Sequence, residues 1–176
     1  MDAYLQRVID EMESATEGLA DQKLHTLRDA PGKWSAAQKL EHLILAFTGT
    51  TRNILNAAKR NERLRGGTLK ERIGTWVVVR LGFMPEGRQA PQNTRPPDVP
   101  GVDVRERFRK AVREMDAALA AREHDCRADH KIAIHPILGP LSAREWRKFH
   151  LVHTRHHMAQ IRAMRAGEVR KDASAA

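Results

Sequence analysis

The chain has a single cysteine, Cys126, so no internal disulfide framework is open to it, and this usage fits a reducing, cytoplasmic setting. Long apolar runs are also missing. No stretch approaches the ~18 residues that would suggest a membrane span, and no membrane partner is expected. The first residues, Met1-Asp2-Ala3-Tyr4, carry neither a basic region nor an apolar core, so a secretory leader is not expected. Aromatic residues make up only 5% of the sequence, which leaves few platforms for stacking single-stranded bases. Zinc-finger spacing, a helix-turn-helix signature and an RNP-like aromatic motif are all absent, so a specific nucleic-acid partner is not expected either. No repeat of 20–50-residue period is visible.

What is present suits one globular domain. The 176 residues are 41% hydrophobic and 30% charged, enough to bury a core without staples. The domain is expected over 1–167, with a frayed tail at 168–176. The net charge is +9, and it is concentrated: residues 52–113 hold fifteen Lys/Arg and six Asp/Glu, while the rest of the chain balances. A basic middle attracts an anionic small molecule, an anionic lipid surface or nucleic acid, although spread-out arginines of this kind also make an ordinary solvated face.

Helical periodicity dominates. Leu5, Val8, Ile9, Met12 and Leu19 predict a first helix over about 2–22. Ser35-Ala36-Ala37-Gln38 reads as a capping box, opening a second helix that runs to about Asn61 and carries the apolar residues Leu40, Leu43, Ile44, Phe47, Ile54 and Leu55. Thr68-Leu69-Lys70-Glu71 opens a third by the same device; its end is open, because Val77-Val78-Val79 also suits a short strand. Residues 82–101, rich in proline and glycine, predict a long loop placed to wall a pocket. A fourth helix starts near Asp103-Val104, a second connection covers about 123–141, and Ser142-Ala143-Arg144-Glu145 opens a last helix reaching about Gly167. The expected fold is an all-α four-helix bundle with a long Pro/Gly-rich loop, one extra short helix and no convincing set of strands.

Four of the nine histidines fall within 150–157: His150, His153, His156 and His157. At 100° per residue, Trp146, Phe149, His150, His153, His157, Gln160 and Ile161 share one side of the last helix, with Lys148, Arg155 and Arg162 opposite. His153 and His157, one turn apart, can converge on one cation at about 2.0–2.1 Å each. A divalent metal removes the cost of burying neutral imidazoles with unsatisfied nitrogens, and leaves each second ring nitrogen for a hydrogen-bond partner. A partly polar core is the plainer alternative. The third ligand is open on the residues alone. His42 lies opposite the Leu40–Phe47–Ile54 stripe of the second helix, on a face with Ala46, Gly49 and Asn53 that is either an open cleft or solvent. His150, His135, Glu41 and Asp125 are weaker candidates, and His25, His124 and His130 read as loop or surface residues. Gln160, His156, His150, Trp146 and Asn53 are expected around the site, lining a pocket or bonding to ligands.

Taken in order, Trp34-Ser35, Glu41-His42-Leu43, His135-Pro136 with Gly139 and Leu141-Ser142, Glu145-Trp146, and His153-Thr154-Arg155-His156-His157-Met158-Ala159-Gln160-Ile161 resemble the DinB-like superfamily, including its YfiT-like metalloenzymes. The resemblance covers about 1–165. It implies a four-helix bundle in which His42, His153 and His157 hold a divalent metal (zinc, nickel or an iron-like ion), with His156 a frequent histidine that is not a ligand. It also implies a homodimer, and chemistry of two kinds: hydrolysis, or transfer and isomerisation using a low-molecular-weight thiol. A three-histidine site keeps a coordination position open for water or thiolate, so metal-assisted nucleophilic attack is expected, and the neighbouring basic region suits a small, anionic substrate. The alternative is a non-catalytic bundle that binds a small ligand or a partner. Cys126 is expected to be an inert thiol.

Overall fold

The computed structural model describes residues 1–60, 64–85, 90–125 and 130–174, apart from the side chains of 125 and 169–174. The expectations for Cys126, for the Asp125 side chain and for the last residue of the second helix, Asn61, fall outside what is described. Six α-helices are described: α1 (Ala3–Thr16), α2 (Asp21–Thr26), α3 (Ala36–Lys59), α4 (Leu69–Thr75), α5 (Val104–Asp125) and α6 (Ala143–Ser174). One hairpin, β1 (Lys131–His135) and β2 (Gly139–Ser142), sits between α5 and α6.

The four long helices make the bundle. Helix α3 lies along α5, α5 meets α1, α1 lies along α6, and α6 returns to α3. Leu5, Met12, Leu40, Phe47, Phe108, Met115 and Leu119 fill the space between them without measurable exposure. Charged side chains tie the helices at the margins of this core. The Arg107 guanidinium donates to both oxygens of Glu41 at 2.7 Å each, and the buried Arg147 donates to Glu123 at 2.6 Å.

Three helix starts, those of α3, α4 and α6, follow their local chemistry. Ser35 Oγ accepts from the Gln38 amide at 3.2 Å while Gln38 Oε1 accepts from the Ser35 amide at 2.9 Å. Thr68 with Glu71 and Ser142 with Glu145 repeat the reciprocal arrangement.

Four expectations need correction. The first helix is two, because Gly18 takes φ +71° after Thr16 and turns the chain before α2. Val77-Val78-Val79 is neither strand nor α-helix; Trp76–Arg80 widens into a π-turn that buries Val78 and Val79. The connection before the last helix is not all loop but contains the hairpin, whose Ile132 and Ala133 are buried. The last helix does not stop near Gly167 but continues to Ser174.

Gly139 explains how the hairpin is fixed. It adopts φ +73°, and a Cβ there would stand 2.7 Å from the Glu71 side chain. Only glycine allows both the turn and the approach of α4. Thr75 Oγ1 donates to the Leu138 carbonyl at 2.9 Å, and Asn53 Nδ2 on α3 donates to the Ile134 carbonyl at 2.9 Å. The hairpin is thereby clamped over one edge of α3.

Candidate metal centre

The capped start of α3 sets His42 two turns into the helix, facing α6 across the bundle. His153 and His157 project one turn apart from α6 toward it. Nε2 of His153 lies 3.1 Å from Nε2 of His42 and 3.2 Å from Nε2 of His157. One ligand atom from each ring lies within 4.8 Å of the others, so the described residues contain a three-histidine cluster able to hold a metal ion. His42 and His157 are buried and His153 is half-buried.

The surrounding hydrogen bonds decide what these nitrogens carry. A carbonyl only accepts, and Thr94 O lies 2.7 Å from His42 Nδ1, so Nδ1 holds the proton and Nε2 the lone pair. Lys39 Nζ donates to Gln160 Oε1 at 2.8 Å, which fixes the orientation of that amide. The same oxygen lies 3.1 Å from His157 Nδ1, so that nitrogen also carries its proton and Nε2 again holds the lone pair. Two lone pairs thus point at His153 Nε2, whose single proton, where present, could answer only one of them. A cation shared by the three nitrogens answers all three. Two nitrogens of one tetrahedral ion, each at about 2.0–2.1 Å, stand about 3.3 Å apart, close to the observed spacings.

Electrostatics favours the same protonation state. Burial pushes the His42 pKa below its ordinary value, though the Thr94 carbonyl opposes this. Burial lowers His157 to about 3, helped by the neighbouring His42, and holds His153 well below its ordinary value, helped by His157. The rings are therefore neutral donors near pH 7, the form that binds metal.

The cluster sits in the wall of a cleft of about 900 Å³. Trp34 closes over His42, with ring centroids 5.4 Å apart. The 82–101 segment contributes Met84, Pro85, Pro91 and Thr94 to the wall, as its length and proline content suggested. The His42 face with Ala46, Gly49 and Asn53 is the open-cleft version of the two readings left by periodicity: all four residues line the cavity.

The other expected site residues fall around it. Gln160 bonds to His157 through Oε1 and lies 3.0 Å from His156 Nε2 through its amide nitrogen. Trp146 and His150 also line the cleft; His150 Nε2 is 3.0 Å from Thr50 Oγ1, and neither residue is in the cluster. Of the weaker ligand candidates, His135 is on the hairpin and Glu41 is taken up by Arg107, so neither joins it. Sequence reasoning missed Lys39 and Thr94. Lys39 had a signal, since it lies three residues before His42 on the same helix. Thr94 had none, because only the folded loop brings its carbonyl to the ring.

The bundle, the clamped hairpin and the three converging imidazoles define a helical protein built around a metal-competent centre between facing helices. The chain belongs to the DinB superfamily, whose family model matches residues 4–161. No curated protein and no solved structure matches the chain.

Proposed function

We propose that this protein is a divalent-metal-dependent enzyme in which His42, His153 and His157 hold the ion and the cleft receives a small, anionic substrate. The observation that carries the reading is the convergence of three imidazole Nε2 atoms, those of His42 and His157 bearing lone pairs, in the wall of a substrate-sized cavity. When bound, a zinc, nickel or iron-like ion supplies a Lewis acid that acidifies a water or low-molecular-weight thiol nucleophile. The protein's own contribution is to fix the rings. Thr94 O and Gln160 Oε1 hold two Nδ1 protons in place, and Lys39 holds Gln160. The apolar wall of Met84, Pro85 and Phe149 excludes water from a reacting molecule. The basic excess of residues 52–113 supports an anionic substrate, and family membership supports hydrolysis or thiol-dependent transfer.

Elemental analysis of protein purified without a histidine tag tests this. The expected result is about one divalent ion per chain, as for a single three-histidine site. His153→Ala or His157→Ala should bring it to background, while His150→Ala should retain it. Loss of metal in the His150 variant alone would mean that the ligands are assigned wrongly.

A further inference from the structure

His135 ends β1 and lines the same cleft, and the metal cluster leaves it out. Its Nδ1 lies 3.1 Å from the Ile137 amide and 3.1 Å from the Leu138 amide. Backbone amides only donate, so Nδ1 must carry a lone pair. Burial lowers the ring's pKa to about 4, so near pH 7 it is neutral and its one proton is on Nε2. That N–H has no acceptor among the described residues. It is not sealed in either, unlike the partnerless Nδ1 atoms of His150 and His153.

The ring cannot readily turn away. It is wedged against Trp146 at 5.3 Å and Phe149 at 4.6 Å between centroids, and its Nδ1 is pinned to the turn. Phe149 also lies against His153, at 5.6 Å. One aromatic ring thus separates His135 from the three-histidine centre, a span that a short apolar chain covers.

The geometry points to His135 as a substrate-binding donor: a fixed, uncharged Nε2–H that takes an acceptor oxygen of a ligand whose other end reaches the three-histidine centre. This rests on the metal-site reading above. It narrows the substrate class to molecules with two polar ends and an apolar middle, the far end bearing a carbonyl, ester or carboxylate oxygen. An uncharged donor suits such an oxygen, because it polarises the acceptor and cannot give up a full proton to it.

The competing role is purely structural, with His135 only capping its turn. His135→Asn separates the two. Asparagine Oδ1 can accept the same two amides in an Asx-type turn, but its side chain ends short of the Nε2 position. The probes are alkyl hydroxamic acids, which chelate divalent metals, in a graded series of chain lengths, each made in a matched pair ending in acetyl or isopropyl. Binding is measured on the metal-loaded protein.

At the best length, the acetyl compound is expected to bind the native protein about fivefold more tightly than its isopropyl twin, the value of one net hydrogen bond. His135→Asn should erase that preference while leaving the isopropyl affinity and the metal content unchanged. Equal affinities at every length in the native protein, or a preference that survives in His135→Asn, overturn the inference and leave the metal site standing. Failure of the protein to take up metal overturns the metal-site reading and this inference with it, and metal-loaded protein that binds no hydroxamate overturns this inference alone. A measurement without a variant is also available: the His135 Nε2–H proton should move downfield with the acetyl ligand and not with the isopropyl one, and an unmoved proton overturns the assignment.

Discussion

Histidine chemistry in this protein depends on which ring nitrogen each neighbour claims. Thr94 and Gln160 claim Nδ1 of His42 and His157, which frees both Nε2 atoms for a cation; the turn amides claim Nδ1 of His135, which leaves it a donor. The same burial has a consequence for acid stability. His135 has a pKa of about 4 in the folded chain, against 6.5 for an unperturbed ring. Between those values the unfolded chain binds a proton that the folded ring refuses. Its contribution is therefore fully present above about pH 6.5 and is lost as pH falls toward 4, a loss of about 2–3 kcal/mol at the bottom of the window. His150, which faces His135, is lowered to about 3 by burial and steepens the same limb. In chelator-treated protein, His135→Asn should flatten the fall of urea-unfolding free energy between pH 6.5 and 4 relative to the native chain. An identical slope in both would show that this ring is not protonated on unfolding.

Elements here are joined by close contacts rather than by apolar stripes alone. Helix α4 reaches the hairpin through Glu71, which Arg65 and the Thr68 amide hold well below the usual carboxylate range, and which stands where a Cβ on Gly139 would be. Gly139→Ala should destabilise the protein by about 1–3 kcal/mol, from a left-handed backbone and a steric overlap together. The two causes separate in a double-mutant cycle with Glu71→Ala. Relief of the overlap should appear as a coupling of about 1 kcal/mol in urea unfolding, and the backbone cost should remain. Additive effects would mean that the hairpin shifts away from α4 instead. Helix α6 is a second case. Its Arg155 and Arg162, read from periodicity as lying opposite the histidines, both donate to Glu11 of α1 at 2.9 and 2.8 Å. That face is a helix–helix margin.

At the scale of the molecule, the candidate centre joins α3 to α6, helices that meet along only part of their lengths. A ligand bound to the folded state alone stabilises it by about 2.7 kcal/mol at one hundred times its dissociation constant. For a chain of this size that is a rise in Tm of about 5–10 °C. Thermal melts with zinc and with excess chelator should differ by that amount, and the difference should vanish in His42→Ala. Equal melts in the native protein would mean that the three histidines do not bind zinc when folded. Among the described residues, no helix is long and apolar enough to cross a membrane.

Local chemistry determined much of this protein before any tertiary contact formed. The Ser35, Thr68 and Ser142 caps, the helical faces of α3, α5 and α6, and the one-turn spacing of His153 and His157 follow from side chains within four residues of one another. Tertiary structure decided the rest, because the interacting groups are far apart in sequence. Periodicity put His42 on the face away from the main stripe and could not say whether that face met solvent or a cleft; the 82–101 segment and the hairpin made it a cleft. The hairpin itself was illegible, since two strands of five and four residues carry almost no pattern and owe their fixity to Asn53 and Gly139. Protonation was decided last of all, by a carbonyl from residue 94 and an amide held by Lys39 from another helix, and it is protonation that turns four neighbouring histidines into two different kinds of chemistry.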